Sequence, residues 1–371
     1  MRVHEGRSEL TLGVSADVVP GPSTRPAPAL GTHRVTLSAV ANEAGVSIAT
    51  VSKVVNGRSG VGRQTRARVE EAITELGYVS LGERQASLHA AREMSVELVV
   101  DPRDVSNPYL STFLGGAMEA AALHHVALVL RSLDAANEAR QVSWAQDLAR
   151  AGRTGVIEVT SAYSAERERA LKRAGLPMVL VDPIDVPRTS TPSIGATNWA
   201  GAYAATQHLI ELGHTDIRYI GGPPGARCDA VRAHGWAAAM TEAGLVADIE
   251  AVPKGSYTFG HGLEAATALL SHDAPPTAIF AGSDASATGV LEAARRLGLG
   301  IPADLSVVGF DDTLLAQTSA PPLTTVHQPI ADIGRNAVST IVRLARGEVL
   351  ATKRVELSTH LVVRDSTAPP R

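Results

Sequence analysis

The stretch Val35-Thr36-Leu37-Ser38-Ala39-Val40-Ala41-Asn42-Glu43-Ala44-Gly45-Val46-Ser47-Ile48-Ala49-Thr50-Val51-Ser52-Lys53-Val54-Val55-Asn56 reads as two short helices joined by a tight turn. Leu37, Val40, Ala41 and Ala44 recur at helical spacing. Gly45 stops that helix as a C-terminal glycine does. Val46 plugs the corner, and Ser47 is placed to cap a second helix whose Val51, Val54 and Val55 face back to the core. Ser47, Ile48, Ala49, Thr50, Ser52, Lys53 and Asn56 are left for the outer face. An exposed helix start with small, hydroxyl and cationic side chains is what a major-groove reader needs. The alternative for this segment alone is an ordinary helical hairpin.

Arg58, Arg63, Arg66 and Arg68 follow closely. A third helix is expected over about 64–76, with an apolar stripe of Val69, Ala72, Ile73 and Leu76 and a stop at Gly77. Between Arg34 and Arg92, eight basic residues stand against five acidic ones, so this part is +3 in a chain whose total is −4. Such asymmetry suggests a nucleic-acid-facing module on a neutral or acidic body.

From Ser95 the pattern changes to short apolar runs alternating with helical periodicity. Strands are expected at 96–100, 126–130, 155–159 and 178–182, with helices near 109–123, 137–151 and 164–174 between them. After Ile194 a second series begins, with helices at 199–212, 228–243, 259–272 and 285–298. Its strands fall at 217–220, 278–281 and 305–310, with a weaker one near 249–252. Two such series imply two doubly wound parallel-sheet subdomains, and a ligand at the strand ends between them.

The 371 residues allow two or three folded units, and 44% hydrophobic content with only 4% aromatics makes an aliphatic, alanine-rich core. The single cysteine, Cys228, excludes an intramolecular disulfide and any multi-cysteine zinc site, and fits a reducing cytoplasm. No stretch reaches the roughly 20 apolar residues of a membrane helix. Met1–Gly31 lacks the apolar region of a signal peptide and reads as a disordered leader. Enzymatic signatures are missing: no Gly-x-Gly-x-x-Gly opens a helix, and there is no Gly-x-x-x-x-Gly-Lys-Ser/Thr loop or Gly-x-Ser-x-Gly elbow. The pair His124-His125 is adjacent, so the two side chains diverge rather than share a metal. No cofactor is expected.

The chain resembles the LacI/GalR family of transcriptional regulators over roughly residues 35–365. The resemblance rests on Val35-Thr36-Leu37, Ala44-Gly45-Val46-Ser47, Thr50-Val51-Ser52, Val54-Val55-Asn56, Thr65-Arg66 and Leu76-Gly77-Tyr78. Two later blocks add to it, Ser306-Val307-Val308-Gly309-Phe310-Asp311-Asp312 and Pro321-Pro322-Leu323-Thr324-Thr325-Val326. It implies a helix-turn-helix DNA-binding domain at 34–79, a hinge at 80–94, and a periplasmic-binding-protein-like effector and dimerisation domain at 95–365. Residues 1–33 would be leader and 366–371 a tail. Within the effector domain the expected division is about 95–194 and 325–350 for the first subdomain, and about 195–324 and 351–365 for the second.

By resemblance the DNA contacts are Thr36, Ser47, Ile48, Ala49, Thr50, Ser52, Lys53, Asn56, Arg58, Arg66 and Tyr78. Leu88 is the favoured minor-groove wedge, and the alternatives are Leu81 or no wedge at all. Arg232 matches the family's arginine before a glycine–aromatic pair, here Gly235-Trp236, and its guanidinium suits adjacent hydroxyls. The other effector candidates are Tyr109, Asp182, Asn198, Trp199, Trp236, Asp284 and Asp311. Trp199 either stacks on a sugar face or fills core, and Asp284 either touches ligand or caps the following helix. The expected partners are palindromic operator DNA, a small-molecule effector of sugar type and a second copy of the chain in a homodimer, with no membrane. The alternatives are a sugar receptor without gene control, a Rossmann-like enzyme and a co-repressor-dependent regulator.

Overall fold

The computed structural model describes residues 36–55, 59–78, 94–132, 141–185 and 191–371. The chain divides into two compact units, Met1–Leu88 and His89–Arg371.

In the first unit, α1 (Leu37–Ala44) starts at Thr36, whose hydroxyl accepts the Ala39 N–H at 3.3 Å. It ends on Gly45 at φ 63°, a left-handed conformation that glycine adopts without the strain of a Cβ. Ser47 Oγ accepts the Thr50 N–H at 3.2 Å and so caps α2 (Ile48–Val55), as its position after the turn implies. α3 (Arg63–Leu76) closes on Gly77. Val40, Ala41, Ala44, Val51, Val54, Val69 and Ala72 form the shared core, with Leu37, Val46, Val55, Ile73, Leu76 and Tyr78 packed around it. These are the faces that helical spacing marked out.

The second unit holds two sheets. β1 (Met94–Val100), α4 (Pro108–His124), β2 (Val126–Ser132), α5 (Gln141–Arg150), β3 (Arg153–Val159), α6 (Ala165–Arg173), β4 (Met178–Val181) and β5 (Ser193–Ala196) come first. Next follow α7 (Asn198–Glu211), β6 (Ile217–Ile220), α8 (Arg227–Glu242), α9 (Phe259–Leu270), β7 (Ala278–Ala281), α10 (Asp284–Leu297), β8 (Ser306–Asp311), α11 (Leu314–Thr318) and β9 (Thr324–His327). α12 (Ile330–Ala345), β10 (Arg354–Leu357) and β11 (His360–Val362) complete the chain. The first sheet has the order β10-β5-β4-β3-β1-β2 and the second β11-β9-β8-β7-β6.

All pairs in the first sheet are parallel. One face of it packs on α4 and α12 through Val96, Leu98, Phe113, Ile157, Val179, Ile333 and Ile341. Burial on both faces explains why its strands read as continuous apolar runs. The second sheet is parallel except for β11, which runs antiparallel to β9.

Three differences from the sequence reading follow. Residues 249–252 form no strand; Val252 is buried, but Pro253 follows it, and the Gly221 N–H to the Pro253 carbonyl (2.9 Å) ties the segment to the end of β6. All of Thr324–His327 pairs with β8, so residues 325–327 belong to the second sheet with Thr324 and not to the first subdomain. Arg354–Leu357 pairs with β5 and belongs to the first sheet, not the second subdomain. The chain therefore passes between the sheets three times, at Thr197, at Gln328-Pro329 and at Ser358-Thr359. Among the described residues no helix is long and apolar enough to cross a membrane.

Candidate functional site

In the first unit, Val51 and Val54 point inward, which turns the opposite side of α2 to solvent. Ile48 is 49% exposed there, with Ala49 and Lys53 exposed beside it. An isoleucine half exposed on a capped helix start lies outside the core of its own unit. Ser47 and Thr50 hold each other through their hydroxyls at 2.9 Å, which fixes the entry of the helix. Thr36 is spent on capping α1, and Tyr78 packs against the three-helix core. Ser52 and Arg66 are half-buried. Asn56, Arg58 and Leu88 lie outside the described residues.

In the second unit, the strand ends of both sheets converge on Arg232. This arginine is 4% exposed. Its Nε donates to Asn198 Oδ1 at 2.7 Å, and its two terminal nitrogens donate to the Gly282 carbonyl at 2.5 Å and to Gln328 Oε1 at 3.1 Å. The guanidinium carbon sits 3.7 Å from the Phe310 ring centroid and 5.4 Å from that of Tyr257. Asp229 positions Tyr257 by accepting from its hydroxyl at 3.1 Å, from Tyr219 at 2.7 Å and from the Gly222 N–H at 2.6 Å.

Gln328 then reaches the other subdomain. Its Nε2 donates to Asp182 Oδ2 at 3.2 Å, and the same oxygen accepts from the Tyr109 hydroxyl at 2.5 Å. A polar chain therefore runs Tyr109, Asp182, Gln328, Arg232, Asn198 from one sheet to the other. The Arg227 N–H donating to the Ile184 carbonyl at 2.7 Å is a second link. Gly195 faces Asp182, and a Cβ there would stand 2.6 Å from Oδ1, so only glycine leaves that carboxylate its place. Asp182 and Asp311 hold φ values of 41° and 116°, conformations that cost free energy and that the surrounding structure must impose.

Asp311 is buried at the end of β8, and no described residue hydrogen-bonds its carboxylate. Burial pushes its pKa well above the usual range, against the attraction of Arg232 and with the repulsion of Asp284 and Asp182. Burial likewise raises Asp182, opposed by its hydrogen bond from Tyr109 and the charge of Arg232. The site is thus rich in acceptors around one buried cation. Among the described residues, no group of three His, Cys, Asp or Glu is placed to hold a metal ion.

Three candidates are not part of this polar chain. Trp236 is core: it is buried, it stacks on Tyr219, and its Nε1 donates to the Ile217 carbonyl at 3.2 Å. Asp284 is the first residue of α10, and Ser283 is that helix's cap. Its carboxylate is consumed by Thr325 Oγ1 at 2.6 Å and by the N–H and hydroxyl of Thr313 at 2.7 and 2.9 Å, so it braces strand ends rather than facing the cleft. Trp199 does not fill core; it is 45% exposed and stacks on Tyr203 at 5.1 Å. Gln328 and Tyr257 escape a sequence reading, because a lone glutamine before proline and a lone tyrosine in a loop carry no periodic signal.

The buried acids make stability depend on pH. Burial pushes Asp284 up to about 7, beyond what its hydrogen bonds from Thr325 and Thr313 restore. The folded state therefore binds a proton more tightly than the unfolded chain. Stability falls as pH rises from about 4 to about 7, and each tenfold drop in proton concentration across that window removes at most about 1.4 kcal/mol. Urea unfolding of the full chain should give a higher midpoint at pH 5 than at pH 7.5, and Asp284→Asn should flatten that slope. A wild-type midpoint that rises over this range would contradict the assignment.

Residues 36–80 match the family described as bacterial regulatory proteins, lacI family, and residues 206–367 match the periplasmic binding protein-like domain. Catabolite control protein A of Priestia megaterium is 33% identical over 334 residues, covering 90% of this chain and 99% of that protein. A solved complex of the transcriptional regulator CelR with cellobiose is 32% identical with a TM-score of 0.67, covering 90% of this chain and 100% of that one. The Lac repressor dimer bound to operator and the anti-inducer ONPF gives 27% identity and a TM-score of 0.70, covering 90% and 99%.

Proposed function

The chain belongs to the LacI family of bacterial regulatory proteins, and from that premise we propose which of its residues read DNA and which hold the effector. It is a ligand-responsive DNA-binding transcriptional regulator. A homodimer is the form that matches a palindromic operator, because two-fold symmetry presents two identical reading helices. It acts in the cytoplasm, where operator DNA is, and performs no chemistry on its effector.

Ile48 and Ala49 offer only apolar contact and suit thymine methyl groups; Lys53 reaches a guanine edge as a point donor. Thr36, Ser47, Thr50, Ser52, Arg66 and Tyr78 serve as phosphate or positioning contacts. Asn56, Arg58 and the wedge Leu88 complete the DNA contacts. A sugar or sugar-like effector lies against Tyr109, Asp182, Asn198, Trp199, Arg232 and Asp311. Gln328 now joins them; Trp236 and Asp284 leave the set.

The polar chain from Tyr109 to Asn198 carries this reading, because it joins both subdomains through groups that sugar hydroxyls replace one for one. A ligand that competes for Asp182 and Arg232 changes how the subdomains meet, which is the differential interaction that a population shift requires. Release from the operator by the sugar is the favoured sign.

The test is fluorescence anisotropy on DNA upstream of the gene, at two salt concentrations, with and without saccharides. Salt-sensitive binding to one palindrome, altered by one sugar, is the expected outcome; sequence-indifferent binding throughout would leave only a receptor. Lys53→Ala should weaken operator binding about tenfold and relax the preference at one base pair. An equal loss on operator and random DNA would make Lys53 a phosphate contact instead.

A further inference from the structure

A cavity of about 340 Å³ opens beside the Arg232 cluster, between the edge of the first sheet and the N-terminal ends of α7 and α8. We propose that it is a second subsite of the cleft, so that the effector is a neutral disaccharide or longer glycoside and not a single monosaccharide. This rests on reading the cleft as a sugar site.

The parallel register of β10 on β5 sets Arg354 beside Ser193 and Glu356 beside Gly195, and all four residues line the cavity. Arg227 of α8 and Trp199 at the start of α7 line it as well. Asp182 lines the cavity too. It is also the residue that takes hydrogen bonds from Tyr109 and Gln328, so the cavity and the inner cluster are neighbours sharing one carboxylate.

Several of these groups have no side-chain partner among the described residues. Ser193 is 7% exposed, yet no described residue hydrogen-bonds its hydroxyl. Arg227, Arg354 and Glu356 form no ion pair with any described residue, although cation and carboxylate alternate along β10. The lining charges balance, with two guanidiniums against Asp182 and Glu356. A phosphorylated or carboxylated ligand therefore gains little there. A vicinal diol donates and accepts at once, and it meets both kinds of group in bidentate fashion. The exposed Trp199 indole adds an apolar face for a pyranose ring. The volume is at the lower end of the roughly 300–1,000 Å³ of small-molecule sites, which suits one added sugar unit.

Position matters as well. β5 and β10 both run straight into crossovers, and these are fastened to each other by the Thr197 and Thr359 hydroxyls at 2.9 Å. An occupant of this subsite would bear directly on the joint between the subdomains.

The test is calorimetric titration of the full chain with matched pairs: glucose with cellobiose and maltose, galactose with lactose. One disaccharide should bind at least about tenfold more tightly than its own monosaccharide. Arg354→Ala and Glu356→Ala, both exposed and without an ion pair among the described residues, should each remove most of that advantage and leave the sugar-free melting temperature unchanged. A monosaccharide that binds as tightly as its disaccharides would overturn the second subsite and leave the sugar cleft standing, as would tight disaccharide binding indifferent to both substitutions. Failure of every saccharide to bind would remove the sugar reading itself, and this inference with it.

Discussion

Arg232→Ala is expected to lower the stability of the effector unit by about 3–5 kcal/mol and to abolish the response of operator binding to effector. The guanidinium ties together the start of α7, the end of β7 and the Gln328 crossover. Its removal leaves Asn198 Oδ1, Gln328 Oε1 and the Gly282 carbonyl without a donor in a buried place, and each buried orphan costs about 1–3 kcal/mol. It also withdraws the cation that opposes the raised pKa values of Asp311 and Asp182. Those carboxyls then hold their protons to higher pH, so the loss should be larger at pH 8 than at pH 5.5. Arg232→Lys keeps the charge but loses the fork, and should recover part of the stability and none of the response. Urea unfolding and effector-dependent anisotropy measure the two effects separately. A stable Arg232→Ala chain with normal response would mean that the cleft is organised around other residues.

The elements that sequence made legible are those with strong local signals. Val40, Ala41 and Ala44 before Gly45, and Val51 and Val54 after Ser47, specify two helices and the turn between them without help from tertiary context. The doubly buried strands β1, β3, β4, β7 and β8 announce themselves as apolar runs. What stayed hidden is decided by distant partners. β10 has a burial pattern of alternating exposed and half-buried residues and becomes a strand because β5, about 160 residues earlier, offers it an edge. Its register in turn builds the wall of the side cavity. Gln328 gains its role only because the chain crosses between sheets at that point. Trp236 shows the opposite error: its place four residues after Arg232 in a matching motif suggested ligand, but its indole is taken up by the core, stacked on Tyr219 and donating to the Ile217 carbonyl.

Val51→Asp should abolish sequence-specific operator binding, a loss of at least roughly 10³-fold, while the effector unit keeps its fold and its affinity for sugar. Val40, Val51 and Val69, one from each helix, are each fully buried and meet in a core of only seven buried residues. A core that small supplies only about 3–5 kcal/mol of stability. An aspartate at its centre has no hydrogen-bond donor prepared for it, and burying it without one costs at least as much. The three-helix unit then unfolds, and with it goes the exposed face of α2 that carries Ile48, Ala49 and Lys53. Residues 89–371 form a compact unit of their own, so calorimetric sugar binding should be unchanged. Val51→Ala removes only methyl groups and should give an intermediate loss that cooling partly restores. Operator binding that survives Val51→Asp would show that the reading surface lies outside α1 to α3; loss of sugar binding as well would show that the two units do not fold independently.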